Sequence, residues 1–158
     1  MLPWRLKNKL GELNPKPLSL LTNEQLETIL RQLPKKPRFP NQTAKTIISL
    51  AGLIVQEYEG NAGRILYLPL TDFLVFLQRI YGVGPGIAHM TIRILIDEGM
   101  YKPESDEYRL IDVKPDVHVI RVFDRSGLIG SRDGQSSIIA ARKLNPGFPV
   151  KLDWPWWS

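Results

Sequence analysis

Apolar positions fall three and four residues apart along most of this chain, and that spacing predicts helices wherever a regular element can be placed. Leu26, Ile29, Leu30 and Leu33 share one face. Thr22 stands before Asn-Glu-Gln25, at the separation where a hydroxyl and a side chain three residues on satisfy each other's free amides at a helix start. This first amphipathic helix ends at Pro34. A second runs from a cap at Asn41 to about Tyr58. Its Ala44, Ile47, Ile48, Ala51, Leu53, Ile54 and Val55 cover more than one stripe, which marks a central helix packed on several neighbours. Glu59-Gly60-Asn61 closes it.

Thr71 is placed to cap a third helix carrying Phe73, Leu74, Phe76, Leu77 and Ile80. A fourth follows after a glycine-rich hairpin, with Ile87, Ala88, Met90, Ile92, Ile94, Leu95 and Ile96, and stops near Gly99. Residues 102–109 read as a polar loop. Pro115 then holds Lys114 extended, Asp116 is well placed as an N-cap, and residues 117–125 continue as a helix until Gly127. Their β-branched content competes as a strand, but the cap and the following glycine favour the helix. A last helix covers residues 135–144. The prolines at 3, 15 and 17, set among Lys and Asn, make residues 1–18 a basic, extended lead-in rather than a helix. Residues 35–40, Lys-Lys-Pro-Arg-Phe-Pro, form a basic connector. The expected fold class is all-α, with residues 19–158 as one compact helical domain behind that lead-in.

Composition removes several kinds of chemistry. The chain has 158 residues, 43% of them apolar and 23% charged, which are proportions of a globular protein with no bilayer-spanning run. No signal peptide is visible, so the cytoplasm, alongside the nucleoid, is the expected compartment. Cysteine is absent, which excludes disulfides, thiol nucleophiles and cysteine-held zinc or iron–sulfur clusters within these residues. With His89 and His118 as the only histidines, no metal site is expected. The charge of +5 is unevenly placed: residues 1–46 hold nine Lys/Arg against three Glu. A basic end of that kind favours a polyanion, or simply keeps the chain soluble.

Two features carry candidate chemistry. The run Gly82-Val83-Gly84-Pro85-Gly86-Ile87-Ala88 joins two helices through three glycines in five residues. Glycine permits positive φ and close approach, and the helix that starts at Pro85 presents unpaired leading amides to which a phosphate can bind. An ordinary turn between helices is the alternative, although one glycine would serve it. Asp116 is the second feature. It is an N-cap on one reading. On the other, the positive helix end suits a carboxylate that stabilises a developing cation or orients a water. Lys35, Lys36 and Arg38 are either nucleic-acid contacts or a solvated loop. Arg121 and Arg125, one turn apart, either reach phosphate or pair with Asp124 and nearby Glu. His118 and Gln42 have no assigned catalytic position.

The order of the Gly82-Val83-Gly84 hairpin with Ala88, a loop, then Pro115-Asp-Val-His-Val-Ile-Arg-Val-Phe-Asp-Arg125 and Gly127-Leu128 resembles the helix-hairpin-helix DNA glycosylases of the endonuclease III type. Residues 41–48 and Tyr58-Glu-Gly60 extend the resemblance upstream, so that it spans roughly residues 22–130. It implies an all-α base-excision enzyme acting on double-stranded DNA. Such an enzyme flips a damaged or mismatched base and breaks its N-glycosidic bond, with Asp116 as the catalytic carboxylate. Gly82, Val83, Gly84, Gly86, Ile87 and Ala88 would hold phosphate, and a monovalent cation at the hairpin is compatible with the family. Bifunctional members carry a lysine nucleophile where this chain has Gly86, so the resemblance implies a monofunctional enzyme without lysine-dependent lyase activity. The family's four-cysteine loop is missing, and the N-terminal side is short. Those departures leave a second class open: a non-catalytic DNA-binding or assembly module that has lost the base pocket. The tryptophan-rich end at residues 154–157 is a candidate surface for self-association or a partner.

Overall fold

In the computed structural model, the backbone is described for residues 2–11 and 13–156, and side-chain surroundings for residues 6–11 and 13–153. Trp154, Trp156 and Trp157, and with them the expected apolar end, lie outside the described side chains. Among the described residues there are helices and no strands, as expected of an all-α chain. The helices are α1 (Leu2–Leu10), α2 (Pro15–Ser19), α3 (Asn23–Arg31), α4 (Pro40–Tyr58), α5 (Leu70–Gln78), α6 (Pro85–Asp97), α7 (Val117–Arg125) and α8 (Gly134–Leu144). Short 3-10 turns cover Ala62–Tyr67, Glu107–Leu110 and Pro149–Trp156. No described helix is long and apolar enough to cross a membrane.

Three sequence expectations need correction, each for a local reason. Residues 1–18 contain two helices rather than an extended arm. Their prolines all stand in first turns, where the missing N–H costs nothing, and Asn14 caps α2 by accepting the Lys16 N–H at 3.0 Å. Asn41 does not cap α4. Pro40 already occupies its first turn, and the Asn41 amide instead donates to Glu27 Oε2 at 2.6 Å. Thr71 is not the cap of α5 either. That helix begins at Leu70, whose N–H is taken by Glu107 Oε1 at 3.1 Å, a partner 37 residues away that local pattern cannot reveal. Thr22 behaves as expected: Gln25 N–H donates to its hydroxyl at 3.2 Å while Gln25 Oε1 accepts its own N–H at 2.8 Å.

The chain divides into two compact units. Unit 1 comprises Met1–Tyr67 with Arg79–Gly82, and unit 2 comprises Leu68–Gln78 with Val83–Ser158. In unit 1, Leu6 of α1, Leu26, Leu30 and Leu33 of the α3 segment and Ala44 of α4 form one buried cluster, joined by Ile29, Ile47 and Ile48. α4 ends where Glu59 turns left-handed (φ 57°) and Gly60 follows at φ 89°. In unit 2, Val113, Val119, Phe123, Ala140 and Ala141 make a second cluster that welds α7 to α8 and to the extended segment before α7. Burying these side chains is what fixes the start of α7, and with it Asp116.

Candidate active site

Asp116 caps α7. Its Oδ1 accepts both the His118 N–H (2.9 Å) and the Val119 N–H (3.1 Å), so one carboxylate oxygen does all the capping and Oδ2 takes no part in it. His118 and Val117 on the same turn are exposed.

The strap that delivers Asp116, residues 111–116, is pinned at nearly every residue within unit 2. Ile111 C=O accepts the Val150 N–H at 2.9 Å. Asp112, 8% exposed, receives a two-pronged bond from Arg142 of α8, both contacts at 2.7 Å, and its N–H donates to His89 Nδ1 of α6 at 3.1 Å. His89 accepts at Nδ1, so the neutral ring is the form that fits. Burial accordingly holds its pKa below the ordinary value, with Asp112 pulling the other way and Arg142 adding to the depression. The Lys114 N–H donates to Asp153 Oδ2 at 2.9 Å. Asp153 is 2% exposed, and its other oxygen has no partner among the described residues. Burial pushes its carboxyl up to about 6; the Lys114 bond and the field of Arg93 oppose that, and Asp116 adds to it.

Pro115 occupies a slot between two glycines. A Cβ on Gly134, at the start of α8, would stand 3.1 Å from Pro115 Cβ and Cγ. A Cβ on Gly86 would meet Lys114 Cγ at 3.2 Å and Pro115 Cδ at 3.6 Å. The strap thus lies against the first turn of α6 and the first turn of α8 together. Gly134→Val is expected to overpack this slot and cost about 1–3 kcal/mol in denaturant unfolding. Gly147→Ala, where a Cβ meets open space, should leave the midpoint unchanged.

The hairpin splits between the units, with Gly82 in unit 1 and Val83 onward in unit 2. Of the three glycines, only Gly82 uses positive φ (79°); Gly84 is extended, and Gly86 serves close packing on the strap. α6 has no side-chain cap and Pro85 has no N–H, so the amides offered at this end belong to Gly86 and Ile87, while Ala88 N–H bonds Gly84 C=O at 3.0 Å. Ala88 is fully buried and Ile87 is partly exposed. Gly86 is thereby packed on the strap that ends in Asp116.

Lys35, Lys36 and Arg38 are exposed on the connector of unit 1, and Gln42 is exposed in the first turn of α4. Arg121 and Arg125 are exposed on α7, and the ion pair to Asp124 is made by Arg132 at 2.6 Å. Among the described residues no group of carboxylates and histidines is arranged to hold a metal. The sequence reading missed His89, Asp112, Arg142 and Asp153. Each is a polar residue inside an apolar stretch, but their partners lie 23 to 39 residues away.

No model of a known protein family matches the chain, and no curated protein matches it. A solved structure does: a trapped endonuclease III–DNA covalent intermediate, an estranged-adenine complex, matches with a TM-score of 0.58 at 17% identity. The likeness covers 94% of this chain and 62% of that one, so the chain spans less than two thirds of the length of the protein it matches. In fold, this chain is similar to endonuclease III.

Proposed function

We propose that the chain is a DNA-binding base-excision protein that hydrolyses the N-glycosidic bond of a flipped damaged or mismatched base, without a lysine-dependent lyase step. The observation that carries this reading is Asp116: one oxygen caps α7, the other is left for chemistry, and the strap beneath it is braced against the first turn of α6. The similarity in fold to a structure of a protein trapped on DNA supports the same reading. In this mechanism the amides of Gly86 and Ile87 bind a backbone phosphate. The base leaves as an anion or after protonation, positive charge grows on the sugar, and the Asp116 carboxylate offsets it and aligns the attacking water. Gly86 supplies no amine, so hydrolysis leaves an intact strand with an abasic site.

The test is a screen of base release from duplexes holding uracil, alkylated, oxidised or mismatched bases, read with and without alkali. Strand breaks that appear only after alkali or heat support the proposal, and breaks without alkali contradict the monofunctional part. Duplex binding should weaken steeply with salt, the logarithm of the affinity falling by about 0.9 per phosphate contact for each unit in log salt concentration. Binding insensitive to salt would remove the phosphate-anchoring role of the hairpin.

A further inference from the structure

Unit 1 contains a groove of about 820 Å³, bounded by α1, α2 and α4 from Gln42 to Ile54, with Tyr81 and Gly82 at one side. Its size is that of a site for a compact organic ligand. Leu18, Ile47, Ala51 and Ile54 give it an apolar floor, and none of its described lining residues is acidic. Gln42, Thr43 and Thr46 add polar groups along one side of α4.

The rim is what distinguishes this groove from an unfinished core. Two aromatic rings stand on it, Phe39 at 56% exposure and Tyr81 at 48%. Each carries a cation: the Arg38 guanidinium lies 5.1 Å from the centre of the Phe39 ring, and Lys45 Nζ lies 5.5 Å from that of Tyr81. The backbone of Tyr81 is also held on both sides of its Cα. Its N–H donates to Ser49 Oγ at 3.0 Å and its C=O accepts the Thr46 hydroxyl at 3.0 Å, both from α4. The neighbouring acids of the unit make their ion pairs with other cations, Glu27 with Arg31 and Glu57 with Arg79, although Glu27 also lies within the field of Lys45.

A ligand complementary to this surface has flat apolar faces and negative charges next to them. Unpaired nucleotides have that chemistry, whereas a closed duplex hides its base faces and an acidic peptide has no use for the rings. We propose that the groove binds unpaired nucleotides of DNA, with bases against Phe39 and Tyr81 and phosphates on Arg38 and Lys45. This is a second nucleic-acid site, within unit 1, and it does not depend on Asp116. It would give the protein a preference for gapped, bulged or single-stranded DNA over perfect duplex.

The experiment measures binding of the full chain to fluorescent oligo-dT, to a perfect duplex and to a duplex with a short single-stranded gap, with poly-glutamate as competitor. Wild type should bind oligo-dT and the gapped duplex more tightly than the perfect duplex. Phe39→Leu with Tyr81→Leu, which keeps the rim apolar, should lose about tenfold or more for oligo-dT and under about twofold for the perfect duplex. Lys45→Gln should lower the salt slope for oligo-dT by about 0.7. Unfolding midpoints of the variants, matched to wild type, separate a lost site from a lost fold. Equal losses on oligo-dT and duplex, or poly-glutamate competing as well as oligo-dT at equal charge, would overturn the proposal. Loss of base release on duplex lesions with the oligo-dT preference intact would instead count against the glycosylase reading.

Discussion

Asp116→Asn is expected to lower base release about 100- to 1,000-fold, the scale set by removing one preorganised electrostatic contact from a transition state. It should do so while leaving the fold and duplex binding near wild type. The choice of Asn matters because the proposed mechanism gives Asp116 two roles on two oxygens. Asn is as good an N-cap as Asp, so the bonds to His118 and Val119 N–H survive and the unfolding midpoint should hardly move. What disappears is the charge. Asp116→Ala removes both, and is expected to cost about 1 kcal/mol of stability in addition to activity. Single-turnover release followed by alkali cleavage, beside binding anisotropy and denaturant unfolding on the same preparations, separates these effects. Full release by the Asn variant on the lesion panel would sink the mechanism. If neither protein releases any base, and duplex binding is lost on replacing Gly84 with a bulky residue, the non-catalytic module becomes the better account.

Most of the helices were legible because their determinants are local. The Thr22–Gln25 capping box, the Glu59-Gly60 stop, the Gly84-Pro85 start of α6 and the Asp116 cap each lie within four residues of the structure they specify. The failures share a different origin. Proline reads as a helix breaker, yet Pro3, Pro15 and Pro17 stand in first turns, where it is tolerated. The start of α5 depends on Glu107, and no window of ordinary length contains both. The candidate site shows the same division. Asp116 and the hairpin amides are visible in the sequence, but the brace under Asp116 is made of contacts between α6, α8 and residues 149–153, each distant in sequence. Gly86 illustrates both limits. It was conspicuous as one of three glycines, but the reason for it, the passage of Lys114 and Pro115 against its backbone, is tertiary.

Asp153→Asn is expected to change how stability depends on pH, by roughly 2–3 kcal/mol across the acid range. Asp153 titrates at about 6 in the folded chain against an ordinary 3.8, chiefly because burial disfavours its charge. Between those values the folded protein holds a proton that the unfolded chain has released, so wild-type stability falls as pH rises from about 3.8 to about 6 and then levels off. The Asn variant has no such loss. Its stability relative to wild type should therefore climb with pH through that window and stay flat above it. His89 acts with the opposite sign: its pKa is lowered in the fold, so its contribution is complete above its ordinary value of 6.5 and is lost as pH falls. Both proteins carry His89, and that effect cancels in the difference. Asp153→Ala is the control. It deletes the acceptor for the Lys114 N–H as well, adding a pH-independent loss of about 1 kcal/mol that the Asn carbonyl can avoid. Denaturant unfolding of the three proteins at half-unit steps from pH 3.5 to 7.5 reads both effects. A pH-independent gap between wild type and Asp153→Asn would mean that the carboxylate is ionised in the folded chain and that the strap beneath Asp116 rests on a charge.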